Sequence, residues 1–476
     1  MKKVFAFLLA ALMVFSLFAC GNTAEKQKEE EAAASKLQLG YGRVCITPDK
    51  SVPLNGYGTS TNRMSTEVLN DIYVTCLAMS DGNNRALLFS QDLHSSTAVQ
   101  TPKLRSALTA EVGIPSSNIF FSATANCSAP DLKSTHESIT GYYLELYTAA
   151  IIQAAKDALD DLAPATMYST STQVEGMSYT HHYIMEDGTV EDHYYGFFDR
   201  EITGHAAQPD TTMRLVKVER KDKPAVLMIN WQCRPTMTGA KDKTVLSADF
   251  IGFMRDKVEA ETGMKPIYFT GGYGEVSPTT RIESEDHGLD VKAYGEKLAD
   301  YAIEAMAGEL TKMSDGKSIG TYTVGGYGIK LNHADEDKVE AAKKIVEERK
   351  EKGYAVADKT AKAQGFKSVY EAGSIVSRVG RKEKEPIEIS VLRFGEMGFL
   401  MAPLALFSTT GKQTLDAVPT EFGFLLCQSN AAWNTIPSEE AFGYGGYEAD
   451  VSYFAKGEAE RMTKNLNDML LMTTDD

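Results

Sequence analysis

Gly271-Gly272-Tyr273-Gly274-Glu275-Val276-Ser277-Pro278 follows the apolar run Tyr268-Phe269-Thr270 and ends a glycine-rich turn on a serine hydroxyl. Glycines let backbone approach a ligand closely, and the free N–H groups of such a turn can stabilise an oxyanion. Ser277 is therefore a candidate nucleophile, although an ordinary tight turn has the same composition. Two more segments carry polar side chains at the end of an apolar run. One is Phe120-Phe121-Ser122-Ala123-Thr124-Ala125-Asn126-Cys127-Ser128-Ala129-Pro130; the other is Asn230-Trp231-Gln232-Cys233-Arg234-Pro235, followed by Ser247-Ala248-Asp249-Phe250-Ile251-Gly252. Open α/β sheets deliver reactive groups from strand ends in this way. The guanidinium of Arg234 stays charged, and its forked donors suit a carboxylate, phosphate or sulfate. Glu275, Asp249 and Glu448 are candidate partners for it in a structural ion pair, which burial would demand. Cys233, one residue away, points to the opposite face if Arg234 faces a pocket.

The elements that would hold these segments alternate. Short β-rich runs are expected at 72–79, 86–90, 118–124, 225–233, 266–270, 387–394, 398–402 and 423–427. Helical patterns fall at 102–112, 141–162, 249–262, 289–310, 335–352 and 456–471, the clearest being 141–162, where Tyr143, Tyr147, Ile151, Ala154, Ala158 and Leu162 share a face. The alternation predicts a layered α/β domain over 37–476, with a mixed β-sheet core flanked by helices. Residues 335–385, rich in Lys, Glu and Ala, read as a helical excursion from it.

Taken together, these segments resemble the catalytic domain of the neutral, non-lysosomal ceramidases. Thr124 to Pro130 is similar to that family's THTHSGP, and Glu275-Val276-Ser277-Pro278 to its GDVSP-type loop. The family's opening is matched by Val44-Cys45-Ile46-Thr47-Pro48, Leu54-Asn55-Gly56-Tyr57-Gly58, Asn70-Asp71-Ile72-Tyr73 and Asp92. Its closing segment is matched by Ile436-Pro437-Ser438-Glu439-Glu440-Ala441-Phe442 and Gly446-Tyr447-Glu448. The match runs from about residue 39 to 452 in the same order.

The resemblance implies the family's fold and its reaction, hydrolysis of the amide bond of N-acyl sphingosines. It also implies a zinc ion held by two His, a Glu and a Tyr, beside the serine of the loop. Carried over, Ser277 and Tyr447 are kept. The first His falls on Ala125, the second on Arg234, and the Glu of a PGE segment on Ala405. The second His of THTH becomes Cys127, a pocket Arg becomes His181 or His182, and a Tyr near the closing segment becomes Thr435. Three of four ligands are lost, and a catalytic zinc normally needs three protein donors, so no zinc cofactor is expected there. A rebuilt site would have to use Cys127, His94, His181 or His182; on an extended strand Ala125 and Cys127 would face the same side. Tyr444, Tyr447 and Trp433 would suit an aromatic wall. Three functions remain open: binding of a lipid, glycan or small amide ligand in the altered pocket, zinc-independent hydrolysis of an amide or ester by Ser277, and zinc-dependent hydrolysis with substituted ligands.

The N-terminus sets the expected location. Lys2 and Lys3 precede an apolar run to Phe15, and Leu17-Phe18-Ala19-Cys20 resembles a bacterial lipobox. Residues 1–19 then form a lipoprotein signal peptide, Cys20 carries the lipid, and 20–36 tether an extracytoplasmic domain to the membrane. A formal charge of −16 argues against nucleic acid as a partner. The five cysteines after Cys20 lack CxxC spacing and read as mostly buried free thiols.

Overall fold

The computed structural model describes residues 36–57, 63–192, 200–316 and 319–473, so the signal segment and Cys20 lie outside the described residues. Its centre is a nine-stranded mixed sheet. The strands along its main path are β1 (Gln38–Cys45), β2 (Tyr73–Ser80), β3 (Arg85–Gln91), β4 (Ile119–Ala123), β5 (Ala163–Gln173), β6 (Thr212–Arg220), β7 (Lys223–Trp231) and β8 (Lys265–Thr270). Their order is β8-β7-β6-β5-β1-β2-β3-β4, with Thr311–Lys312 added beside β5. The two terminal pairs, β3/β4 and β7/β8, are parallel; the pairs between them are antiparallel. Parallel neighbours need a crossover, supplied here by α1 (Gln100–Val112) and α3 (Phe250–Thr262). The sheet coils until its ends meet: Ser90 Oγ donates to the Tyr268 carbonyl, and Thr270 Oγ1 donates to Thr124 O at 2.8 Å.

That closure gathers the sequence-predicted segments. The residues just past β3, β4, β7 and β8 are Asp92–His94, Thr124–Cys127, Gln232–Arg234 and Gly271–Ser277, and direct hydrogen bonds tie them together. Cys127 N–H donates to Pro235 O (3.2 Å), Gly271 N–H to Trp231 O (3.1 Å), and Asn126 Nδ2 to the carbonyls of Asp92 (3.2 Å) and Ser247 (2.7 Å).

One face of the sheet is covered by helices. α2 (Leu144–Asp160) lies so close to β1 that a Cβ on Gly40 would sit 1.8 Å from Ala158 O, and one on Gly42 2.2 Å from Ala154 O. Only glycine fits at either place. α3 and α4 (Val291–Ala307) cover the β6–β8 end through Met213, Leu215, Trp231, Phe250 and Tyr294. The other face packs on a second sheet of β9 (Ile319–Lys330), β10 (Lys384–Phe394), β11 (Met397–Ala402) and β12 (Phe422–Cys427). Leu88, Phe120, Met228, Phe269, Phe399 and Phe424 fill the space between the sheets. A last layer, Glu458–Leu471, closes the far side through Met462, Leu466 and Leu470. The expected layered α/β architecture is thus observed. Residues 335–385 supply three helices, Val339–Lys352, Tyr354–Ala363 and Val369–Arg378, with a small core of their own around Ala342, Ile345, Ala361 and Val369.

Candidate functional site

Small-molecule pockets run to about 300–1,000 Å³; the one at the gathered strand ends measures 520 Å³ and is lined by His94, Cys127, His181, Arg234, Ser277 and Arg281 among others. Five residues selected from sequence therefore share one cavity: His94, Cys127, His181, Arg234 and Ser277. Asn55, Gly56 and Tyr57 of the opening motif line it too. Cys233 turns the other way, into the core, where its Sγ lies 3.8 Å from Tyr294 Oη.

The loop carrying Ser277 is held from beneath. Gly274 N–H donates to Leu406 O (2.8 Å), and a Cβ on Gly274 would meet Ala405 O at 2.8 Å and Thr435 Cγ2 at 2.8 Å. The Glu275 carboxylate accepts from Ser408 N (2.8 and 2.9 Å) and Ser408 Oγ (2.6 Å). Burial pushes Glu275 up to about 7, against the pull of those Ser408 bonds and of His182. Val276 and Ser277 then pair with Thr180 and Tyr179, which aims Ser277 along the pocket wall. The Ser277 hydroxyl accepts from Thr279 N–H at 3.3 Å, and among the described residues no basic side chain hydrogen-bonds to it.

Ala125, Ala405 and Tyr447 occupy different surroundings. The strand ends at Ala123, and Ala125 takes φ +64°, so the extended alternation expected to align Ala125 with Cys127 does not hold. Ala125 is instead sealed in an apolar cluster with Tyr273 and Ala405, while Cys127 faces the cavity. Arg234 stacks its guanidinium over the Tyr273 ring at 5.1 Å. Tyr447 does not join them: its ring packs edge-on against Tyr370 (5.4 Å) and lines a separate groove with Arg349 and Ser374. The residue beside Ala405 is Thr435, its partner in a short parallel pair. The expected aromatic wall is likewise dispersed, with Tyr444 against His182 (5.8 Å) and Trp433 against Tyr453 (6.4 Å).

The three carboxylates considered as partners of Arg234 are each engaged elsewhere. Asp249 caps α3, accepting from Phe250 N (3.0 Å) and Thr238 N (2.7 Å). Glu275 is held by Ser408. Glu448 bridges two histidines, at 2.9 Å from His181 Nε2 and 2.8 Å from His182 Nε2, all three being buried. Burial favours neutral imidazole in both; Glu448 overcomes it at His182, whose pKa ends raised, while that of His181 ends lowered. His94 is driven to about 3 by burial and then by Arg234 and Lys133. Burial also raises the Cys127 thiol, against Arg234, so it is held protonated and a poor nucleophile.

Arg281 and Tyr183 in the lining were not singled out from sequence. Arg281 stands four residues after Ser277, a cue that was available; Tyr183 is brought in by strand pairing, which the sequence does not display.

No protein-family model matches the chain, and no curated protein matches its sequence. Among solved structures, it is similar to neutral ceramidase from Pseudomonas aeruginosa, with a TM-score of 0.68 and 14% identity over 91% of this chain and 74% of that one. It is also similar to a ceramidase complexed with C2, with a TM-score of 0.68 and 13% identity over 91% of this chain and 75% of the other. At such identities the likeness is one of fold.

Proposed function

We propose that this protein uses a ceramidase-like fold to bind a ligand with an anionic head in the pocket that contains Arg234, and that it does so without zinc at the positions matched to the family's ligands. One observation carries the reading. In a chain of net charge −16, the pocket lining includes two fixed cations, Arg234 and Arg281, with His94 and His181 as neutral imidazoles and, among the described residues, no Asp or Glu. Such a cavity favours a carboxylate, sulfate or phosphate over a neutral or cationic group. Lipids, glycans and small amides bearing such a head are the ligand class.

Zinc does not fit the carried-over positions. Ala125 and Ala405 offer methyl groups in an apolar cluster, Arg234 offers a fixed cation, and Tyr447 packs edge-on against Tyr370. Three donors are the minimum for a catalytic ion, and a guanidinium repels one. A second reading, hydrolysis of an amide or ester by Ser277 without metal, is favoured by the placement of Ser277 in the same cavity as Arg234 and His181. The reading extends to location: lipidation of Cys20 would hold the domain at the outer side of a bacterial membrane. Fatty-acid labelling that persists in Cys20→Ala would overturn that anchor.

The binding test is calorimetric titration with octanoate, inorganic phosphate and sulfate, alongside the neutral octanamide. Arg234→Ala is expected to weaken the bound anion by about 10- to 100-fold, the scale of one charge-assisted hydrogen bond, and to leave octanamide unchanged. Equal anion affinity in Arg234→Ala, or no anion binding to the wild type, would overturn it. Turnover of a fluorescent N-acyl sphingosine that disappears in Ser277→Ala would establish the second reading instead.

A further inference from the structure

We propose that His181, His182 and Glu448 form a divalent-metal site, suited to zinc, at a place distinct from the positions matched to the family's ligands. The donors come from separate parts of the chain and are brought together by specific backbone devices. Consecutive residues on a strand point to opposite faces, yet the rings of His181 and His182 lie 4.9 Å apart on one side. Strand pairing is interrupted at His181 to allow this: Tyr179–Thr180 pairs with Val276–Ser277, His182–Met185 pairs with Val190–Asp192, and His181 N–H donates to Glu275 O (3.0 Å). Glu448 arrives over Gly445 and Gly446, with φ +88° and +104°. A Cβ on Gly446 would sit 2.7 Å from His182 Cδ2, so a side chain there would push Glu448 off the histidines.

The donor set has metal chemistry. Two imidazole nitrogens and a carboxylate oxygen lie within 4.8 Å of one another, all buried. Glu448 presents a separate oxygen to each imidazole, Oε1 to His181 Nε2 at 2.9 Å and Oε2 to His182 Nε2 at 2.8 Å; ligands about 2.1 Å from a tetrahedral ion stand roughly 3.4 Å apart, so the side chains would part by about half an ångström or more to admit one between the imidazoles and one of these oxygens. Charge agrees: buried Asp192 lies on the same side, its Oδ2 and His182 Nε2 both close to the Cβ position of Gly446, at 3.6 and 3.0 Å. A divalent ion with two carboxylates is neutral overall, which low-dielectric surroundings favour. Imidazole with carboxylate suits zinc better than calcium or magnesium. Because His181 also lines the pocket, the ion would stand in the wall of the cavity that Arg234 and Ser277 line elsewhere.

The test uses the full chain, stripped with a chelator and then titrated with zinc alone. One zinc per chain is expected, with affinity lowered at least tenfold in Glu448→Gln and His182→Ala, about the loss seen even for residues that merely support a ligand. Cys127→Ala should bind zinc as the wild type does. X-ray absorption on the zinc-loaded wild type should show two imidazoles, oxygen and no sulfur; this decides the matter if either variant fails to fold. No stoichiometric zinc, unchanged affinity in folded Glu448→Gln, or sulfur in the shell would overturn the site. Anion binding read through Arg234→Ala is a separate measurement, so either proposal can fail alone.

Discussion

Arg255→Met is expected to lower the unfolding free energy by about 3–5 kcal/mol, among the largest effects of any single change in this chain. Arg255, on α3, donates Nη1 to Asp92 Oδ1 (2.9 Å) and Nη2 to Asp92 Oδ2 (2.5 Å), and the side chains are only 3% and 1% exposed. Methionine fills most of the volume but supplies no charge. Among the described residues, Asp92 would then keep only the Tyr73 N–H at 2.8 Å as a donor to its carboxylate, with its charge buried and unpaired. Removing one partner of such a pair costs far more than removing both. Arg255→Met with Asp92→Leu should therefore recover most of the loss. The strain would reach the pocket, because the Asp92 carbonyl accepts from Asn126, the residue before Cys127. Urea denaturation with an unchanged slope gives the number, and a loss under about 1 kcal/mol in Arg255→Met would show that water or a shifted cation replaces the guanidinium.

The sequence displayed elements whose apolar residues are uninterrupted, and hid those shaped by a neighbour. Phe120-Phe121 and Ile267-Tyr268-Phe269 mark buried parallel strands, and both were legible. β1 was not: Gly40 and Gly42, which its contact with α2 requires, lower strand propensity where the strand is most tightly packed. β6 was hidden differently. Leu215 faces the helices and Val216 the second sheet, so burial on both faces breaks the alternation that signals a strand. Within the site, the glycine-rich strand end brought Ser277 to notice, and the family resemblance brought Cys127 and Arg234; all three meet because a coiled sheet gathers such ends. Tyr447 misled for the opposite reason, since its motif lies on a four-residue helix whose two preceding glycines set its direction. The clasp of Glu448 on His181 and His182 depends on a strand interruption and a glycine pair more than 260 residues apart, as the separation of 267 for His181–Glu448 records. No local pattern encodes that meeting.

Glu275→Gln should make the protein more stable than wild type at pH 8 by about 3 kcal/mol and leave it unchanged near pH 4.5. The carboxyl is fully buried, and its pKa stands at about 7 against an ordinary 4.5. A raised folded-state value means that the folded chain holds the proton more tightly than the unfolded one. The associated stability is fully present below about pH 4.5 and is lost as pH rises through 7. A difference of about 2.5 units at 1.36 kcal/mol per unit sets the size. Glutamine is neutral throughout and still presents an oxygen to Ser408 N–H and Oγ, so it mimics the protonated acid and flattens the profile. The consequence reaches the pocket because this contact fixes the loop two residues before Ser277. Wild type should therefore loosen there above pH 7, and the protection of the Gly274 and Val276 amides, taken relative to their intrinsic exchange at each pH, should fall in wild type but not in Glu275→Gln. A stability difference between the two proteins that stays constant from pH 4.5 to 8 would mean Glu275 is ionised throughout, with the Ser408 bonds and the charge of His182 outweighing its burial.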